Sequence, residues 1–240
     1  MIYFMRNLYL LLLIICSAGF AQQVTDTIAQ VKTDSIPVVA DPYYREDQFY
    51  ASLSYVLLTT QPNDFSQNSF STNLTTGFLR DIPVNQARTY AVAIGLGYSY
   101  SNIKHNLKTS GAGNMPVYEI AEDFDKNKLV LHYLELPIEL RWRGSDAVSH
   151  KFLRVYTGFK FSYLFYDKSQ FYPNEGEIIK IRNNTDLNKL VYGAYLSIGW
   201  NTWNAYAYYG INSIYKSGGL SPQEPIEINN LHLGLIFYIL

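Results

Sequence analysis

Residues 89–100 read TYAVAIGLGYSY, with Tyr90, Val92, Ile94, Leu96, Tyr98 and Tyr100 on one parity and Ala91, Ala93, Gly95, Gly97 and Ser99 on the other. Successive side chains of a strand point to opposite faces, so this is one strand with a large apolar face and a small one. In water, the outer face of such a strand carries Lys, Glu or Thr rather than a row of glycine and alanine. A narrow barrel in lipid inverts that arrangement, with bulky apolar side chains outside and small or polar ones within. Alternation of this kind recurs in eight segments: 49–58, 70–80, 89–100, 129–142, 152–166, 190–200, 205–215 and 231–240. Each has roughly the ten residues that a tilted strand needs to cross the hydrocarbon layer. The expected fold class is all-β, an eight-stranded antiparallel up-and-down transmembrane β-barrel.

Connector lengths set the orientation. The polar stretches 103–128, 167–189 and 216–230 follow segments three, five and seven, whereas the connector 201–204 after segment six is short. Outer-membrane barrels have short periplasmic turns and longer external loops, so both termini are expected in the periplasm. Parity turns Phe49, Ala51, Leu53, Tyr55 and Leu57 to lipid, together with Leu134, Leu136, Ile138, Leu140 and Trp142, and the odd residues 153–165. Segment 205–215 is ambiguous in parity. Tyr98, Tyr100, Tyr163 and Phe165 fall at the outer rim, and Phe78, Trp142 and Trp200 at the periplasmic one.

The N-terminus adds a compartment. A basic start ending at Arg6, an apolar run over 8–15 and small residues Gly19 and Ala21 read as a cleavable export signal over 1–21. Residues 22–47 have no period and little bulk, which predicts a flexible periplasmic lead, and 48–240 form the barrel, with no peptidoglycan-binding domain expected after it. The single cysteine, Cys16, lies in the signal, so the mature chain is expected to have no disulfide or cysteine metal site. The 22 tyrosines and 16% aromatic content suit side chains that are dry at one end and wet at the other. A formal net charge of −1, scattered along the chain, gives no basis for a nucleic-acid partner.

The inward parity also collects charge. Glu135, Glu139 and Arg141 share it in the fourth segment, Arg154 and Lys160 in the fifth, and folding the two together brings Glu135 towards Lys160 and Glu139 towards Arg154. A charged pathway is one reading. A structural ion-pair network filling the lumen is the other, and it is preferred because eight strands leave room only for side chains. The inward glycines Gly77, Gly95, Gly97, Gly158, Gly193, Gly199 and Gly234 are expected to make room for Tyr133, Tyr156, Tyr166 and Tyr195. Gly95-Leu96-Gly97 precedes no helix and is no phosphate loop. Pro137 in mid-strand predicts a bulge or bend.

Of the four histidines, His132 faces lipid, His150 lies at a periplasmic turn, His105 sits in a loop, and His232 alone points inward near the outer rim. A catalytic role would need an acid or hydroxyl bonded to His232. No catalytic, cofactor-binding or metal residues are expected, and no small-molecule substrate.

The runs YREDQFYASLSYVLL, GFLRDIPVNQARTYAVAIGLGYSY, YLELPIELRWR and FLRVYTGFKFSYLF resemble the PorT family, called SprT in gliding bacteria. The likeness continues through GWNTWNAYAYYGINSIYK to LIFYIL. RDIPVN at 80–85 and REDQFY at 45–50 are its more specific marks, whereas LELP at 134–137 is common among Bacteroidota outer-membrane barrels. The resemblance implies an outer-membrane component of the type IX secretion system, which exports cargo with C-terminal targeting domains, including gliding adhesins. It implies outer-membrane lipid and other secretion subunits as partners and supplies no catalytic residues. Since an eight-stranded barrel is too narrow to pass folded cargo, the resemblance points to an accessory or assembly role. A stand-alone structural or adhesin-like barrel is the alternative. A secreted lipocalin-like carrier would need an apolar lumen, against the inward charges.

Overall fold

The computed structural model describes residues 47–67, 69–85, 87–144, 153–200, 202–221 and 224–239. The signal over 1–21, all of the lead but Asp47, and the turn with His150 lie outside the described residues. The strands are β1 (Gln48–Thr59), β2 (Thr72–Pro83), β3 (Tyr90–Lys104), β4 (Leu107–Ala112), β5 (Met115–Ile120), β6 (Lys126–Arg143), β7 (Leu153–Tyr172), β8 (Ile179–Arg182), β9 (Leu190–Trp200), β10 (Trp203–Gly210), β11 (Gly219–Ser221), β12 (Glu224–Pro225) and β13 (Asn229–Ile239).

Eight of these close on themselves in the order β1-β2-β3-β6-β7-β9-β10-β13, with β13 returning to pair with β1, and every pairing is antiparallel. Closure satisfies the backbone without leaving an edge, the condition for a sheet to sit in lipid. Burial alternates as the sequence predicts. In β1 the even residues 48–58 are buried, and Phe49 and Leu53 are 62% and 56% exposed. At one end of the barrel lie Pro83 and Tyr90, Arg143 and Leu153, and Trp200 and Trp203, strand ends separated by few residues in the chain, together with Asp47 and Ile239, and we call it the turn end. Trp142, Trp200 and Trp203 face outward there.

Three local features differ from the sequence reading. Pro137 makes no bulge. It opens a gap in the β3–β6 ladder between Ile94↔Ile138 and Gly97↔Glu135, and the register on either side is unchanged. A missing N–H removes one ladder bond without adding a residue. The bulge lies farther up the same hairpin, where His132 opposes Tyr166 and Tyr133 opposes Leu164, leaving Phe165 as the extra residue. It reverses the parity of β7, so Tyr166 is turned to the outer wall beside His132 and away from the lumen. Segment 205–215 ends as a strand at Gly210, with Tyr206 and Tyr208 inward and Ala205 and Tyr209 outward.

The long connectors at the other end are not merely polar loops. β4 and β5 form a hairpin, β8 covers the edge of β7 above β9, and β11 pairs with β12. Isolated apolar residues in these connectors, among them Phe65, Leu107, Leu187, Ile214, Ile226 and Ile228, pack against Val56, Ile103, Leu131 and Leu164 from the strands in one buried cluster. This second core plugs the loop end of the barrel. Polar braces hold it: Asn106 accepts from the Ser66 N–H at 2.8 Å and donates to the Asp64 carbonyl at 2.8 Å, and Asn127 donates to the Leu107 carbonyl at 2.7 Å. The Tyr118 hydroxyl accepts from Asn184 at 2.9 Å and donates to Asp186 at 3.2 Å, and burial raises its pKa.

Candidate functional site

The lumen is layered. Nearest the turn end, Asp81 of β2, Glu139, Arg141 and Arg143 of β6 and Arg154 of β7 are all at most 4% exposed. Arg141 donates from Nε to Glu139 at 2.7 Å and from Nη1 to Asp81 at 2.9 Å, and Arg143 reaches the other Asp81 oxygen from Nη2 at 3.2 Å. The Tyr195 and Tyr238 hydroxyls also donate to Glu139, at 2.8 and 3.3 Å. The Arg141 guanidinium stacks over Tyr156 and Tyr238, 4.8 and 5.7 Å from the ring centroids. Charges withdrawn from water this completely are tolerable only when paired and hydrogen-bonded on several sides, which this arrangement provides.

Above this layer Lys160 lies 3.1 Å from Glu135, donates to the Tyr206 hydroxyl at 3.2 Å and sits 4.4 Å over the Tyr208 ring. Ser162 donates to Glu135 at 3.5 Å. Asn73 then accepts from Ser99 and Ser101 at 2.7 and 2.6 Å. Two voids of about 10 Å³ flank the Glu135–Lys160 pair, each large enough for one water. The apolar plug follows. Side chains of the described residues crowd the bore at each of these levels.

Glu135 meets Lys160, as strand folding suggests, but Glu139 does not take Arg154. The β6–β7 ladder sets Arg143 opposite Arg154 and Glu139 opposite Gly158, and Arg141, two residues along its own strand, reaches Glu139 instead. Asp81 escapes the sequence reading because it lies just beyond segment 70–80, in RDIPVN. Its inward parity with Asn73, Thr75 and Leu79 is the signal that would have found it.

RDIPVN spans the end of β2 and the start of the turn after it. Arg80 and Asp81 continue β2, Pro83 ends it, and Asn85 braces the turn by donating to Thr89 at 2.7 Å and accepting from the Tyr90 N–H at 3.0 Å. Arg88, in the left-handed region at φ 53–59° like three other non-glycine residues, offers its carbonyl to Arg143 at 2.7 Å. Its φ is 56°. The REDQFY run meets the same place: Asp47 pairs with Arg80 at 3.3 Å and accepts from the Asp81 N–H at 3.2 Å.

The glycines make room for different tyrosines from those expected. A Cβ on Gly97 would stand 2.2 Å from the Tyr50 hydroxyl, and one on Gly193 2.6 Å from the Tyr208 ring. His232 is buried, with Asn230 Nδ2 at 2.9 Å from its Nε2 and the Tyr208 ring beside it, and no acid or hydroxyl is bonded to it among the described residues. His132 Nδ1 and the Tyr98 hydroxyl are 2.6 Å apart on the outer wall. His105 is buried in the plug, stacked on Phe65 and accepting from the Leu107 N–H, and burial lowers its pKa to about 4.

A closed barrel with an apolar exterior, aromatic rims and an interior filled by ion pairs and tyrosines is a small outer-membrane β-barrel. The chain belongs to the outer membrane protein beta-barrel domain family, which it matches over residues 20–216. No curated protein matches it. Solved structures similar to it include a mutant of the Rh. blastica porin, 9% identical, with 82% of this chain and 100% of that one covered and a TM-score of 0.21. A triple mutant of the Rhodopseudomonas blastica porin is 7% identical over the same shares, also at 0.21. Such scores carry no argument about the architecture, which rests on the strand pairing above.

Proposed function

We propose that this outer-membrane barrel is an accessory or assembly subunit of the type IX secretion system, exported by its N-terminal signal, with both termini and the turn end in the periplasm. The resemblance of its strands and turns to the PorT family supports the pathway. The observation that carries the accessory role is the filled lumen: an ionic layer below and an apolar plug above leave nothing for cargo to traverse, so any contribution to export is made by the barrel's surfaces. The inward charges Glu135, Glu139, Arg141, Arg154 and Lys160, with Asp81 and Arg143, serve on this reading to hold the wall rigid rather than to conduct.

The test is secretion of a type IX cargo in a strain lacking the protein, with the abundance of unrelated outer-membrane barrels followed in the same cells. Cargo accumulating in the periplasm while other barrels stay normal is the expected result. Normal cargo secretion refutes the reading and leaves a stand-alone surface barrel.

A further inference from the structure

The bulge at Phe165 turns the upper half of β7 over, and it thereby completes a cationic patch on the outer wall. Residues of outward parity in β3, β6, β7 and β8 form rows across the sheet, and of those in the rows below only Val130 and Gln170 are buried, at 8% and 6% exposure. The first row is aromatic: Tyr100, His132 and Tyr166, with His132 edge-on to both rings. Two residues farther along each strand, about 7 Å, comes Asn102, Val130, Lys168 and Arg182. The next row is Lys104, Lys128, Gln170 and Lys180, and Lys126 stands above it beside Tyr172.

Lys104 is directly opposite Lys128, and Lys168 directly opposite Arg182. Like charges facing each other across a ladder are destabilising, so the sequence maintains these two pairs at a cost. Among the described residues none of Lys104, Lys126, Lys128, Lys168, Lys180 and Arg182 forms an ion pair. Glu122, Asp123 and Asp125 line a recess with Lys104 and Lys126, and among the described residues they form no ion pair with them. The patch is also one-sided. The loop-end halves of β1, β2, β10 and β13 contain no Lys, Arg, Asp or Glu.

We infer that this face binds the phosphate groups of lipopolysaccharide in the outer leaflet. The aromatic row marks the level where hydrocarbon gives way to headgroups, and the cations begin one step above it, where the phosphates of a phosphorylated glycolipid lie. Several fixed phosphates would relieve both like-charge pairs at once. The inference rests on the proposed orientation, in which the loop end faces outward.

The experiment measures lipid retained by the full-length protein purified in non-ionic detergent, by native mass spectrometry. The probes are bisphosphorylated lipid A, the same lipid with its phosphates removed, and phosphatidylglycerol. The phosphorylated lipid is expected to bind about tenfold or more tighter than either of the others, given several cations acting together. The variant K104Q/K128Q/K168Q/R182Q should lose that preference, and K104R/K128R/K168R should keep it. Equal binding of the dephosphorylated lipid or of phosphatidylglycerol overturns the inference, as does undiminished preference in the glutamine variant. If that variant fails to fold, the wild-type comparison of lipids decides alone. Maleimide labelling of Lys180→Cys on intact cells reads the orientation separately, so lipid binding that fails in a surface-labelled protein sinks this inference and leaves the secretion reading standing.

Discussion

Replacing Asp81 by alanine strands two guanidinium groups in the lumen. Its oxygens accept from Arg141 at 2.9 Å and from Arg143 at 3.2 Å, and all three side chains are at most 1% exposed. A hydrogen bond to a charged group contributes ~1.5–3 kcal/mol, and breaking a buried ion pair by removing one partner costs ~3–5 kcal/mol. Two lost bonds at one buried site put the expected destabilisation at ~3–5 kcal/mol. Asp81→Asn retains an acceptor and should cost less than Asp81→Ala. The neighbouring Asp47→Ala supplies a milder reference, because it loses one hydrogen bond from the Asp81 N–H and a pair with Arg80 that is 31% and 50% exposed, and such pairs contribute only ~0–1 kcal/mol. Urea unfolding from lipid vesicles would measure the three variants. Tryptophan fluorescence follows it well, since Trp142, Trp200 and Trp203 all face lipid at this end and shift when they reach water. A cost for Asp81→Ala within about 1 kcal/mol of that for Asp47→Ala would refute the claim that the ionic layer needs its pairing.

The plug should loosen with acid. His105 has a pKa of about 4 folded against 6.5 ordinarily, so the unfolded chain takes its proton first, and stability falls as pH drops from about 6.5 to 4, by roughly 3 kcal/mol when complete. Hydrogen exchange in the connectors at pH 7.5 and 4.5 checks this, and His105→Leu should flatten the difference. Gly97→Ala should destabilise the barrel by ~1–3 kcal/mol through its clash with the Tyr50 hydroxyl. Among the described residues that hydroxyl has no hydrogen-bond partner, so Tyr50→Phe alone should be nearly neutral and should recover part of the loss in the double variant, read by the same urea titration.

What could be read from the sequence was whatever depends on parity within one strand. Segment 190–200 coincides with β9, and the inward set of β1 is the one that alternation predicts. The Glu135–Lys160 contact was legible because both residues lie deep in strands whose inward parity is clear. What failed depends on residues elsewhere in space. The partner of Glu139 is decided by the register of β6 against β7, and the side of Tyr166 by an extra residue that only the facing strand exposes as extra. The plug was hidden for another reason. Phe65, Leu107, Leu187 and Ile226 are scattered singly through polar stretches with no period, and only tertiary packing gathers them.

The extra residue in β7 has a wider consequence. It works as a phase switch: below Phe165 the even positions of β7 belong to the interior, and above it the odd ones do. Deleting that residue would exchange the two sets, sending Asp167, Ser169 and Phe171 out to the membrane and Lys168 into the apolar plug. One strand can therefore satisfy two surroundings in succession, and the position of the switch, rather than the composition of the strand, decides where the wall stops belonging to lipid and starts belonging to the loop end.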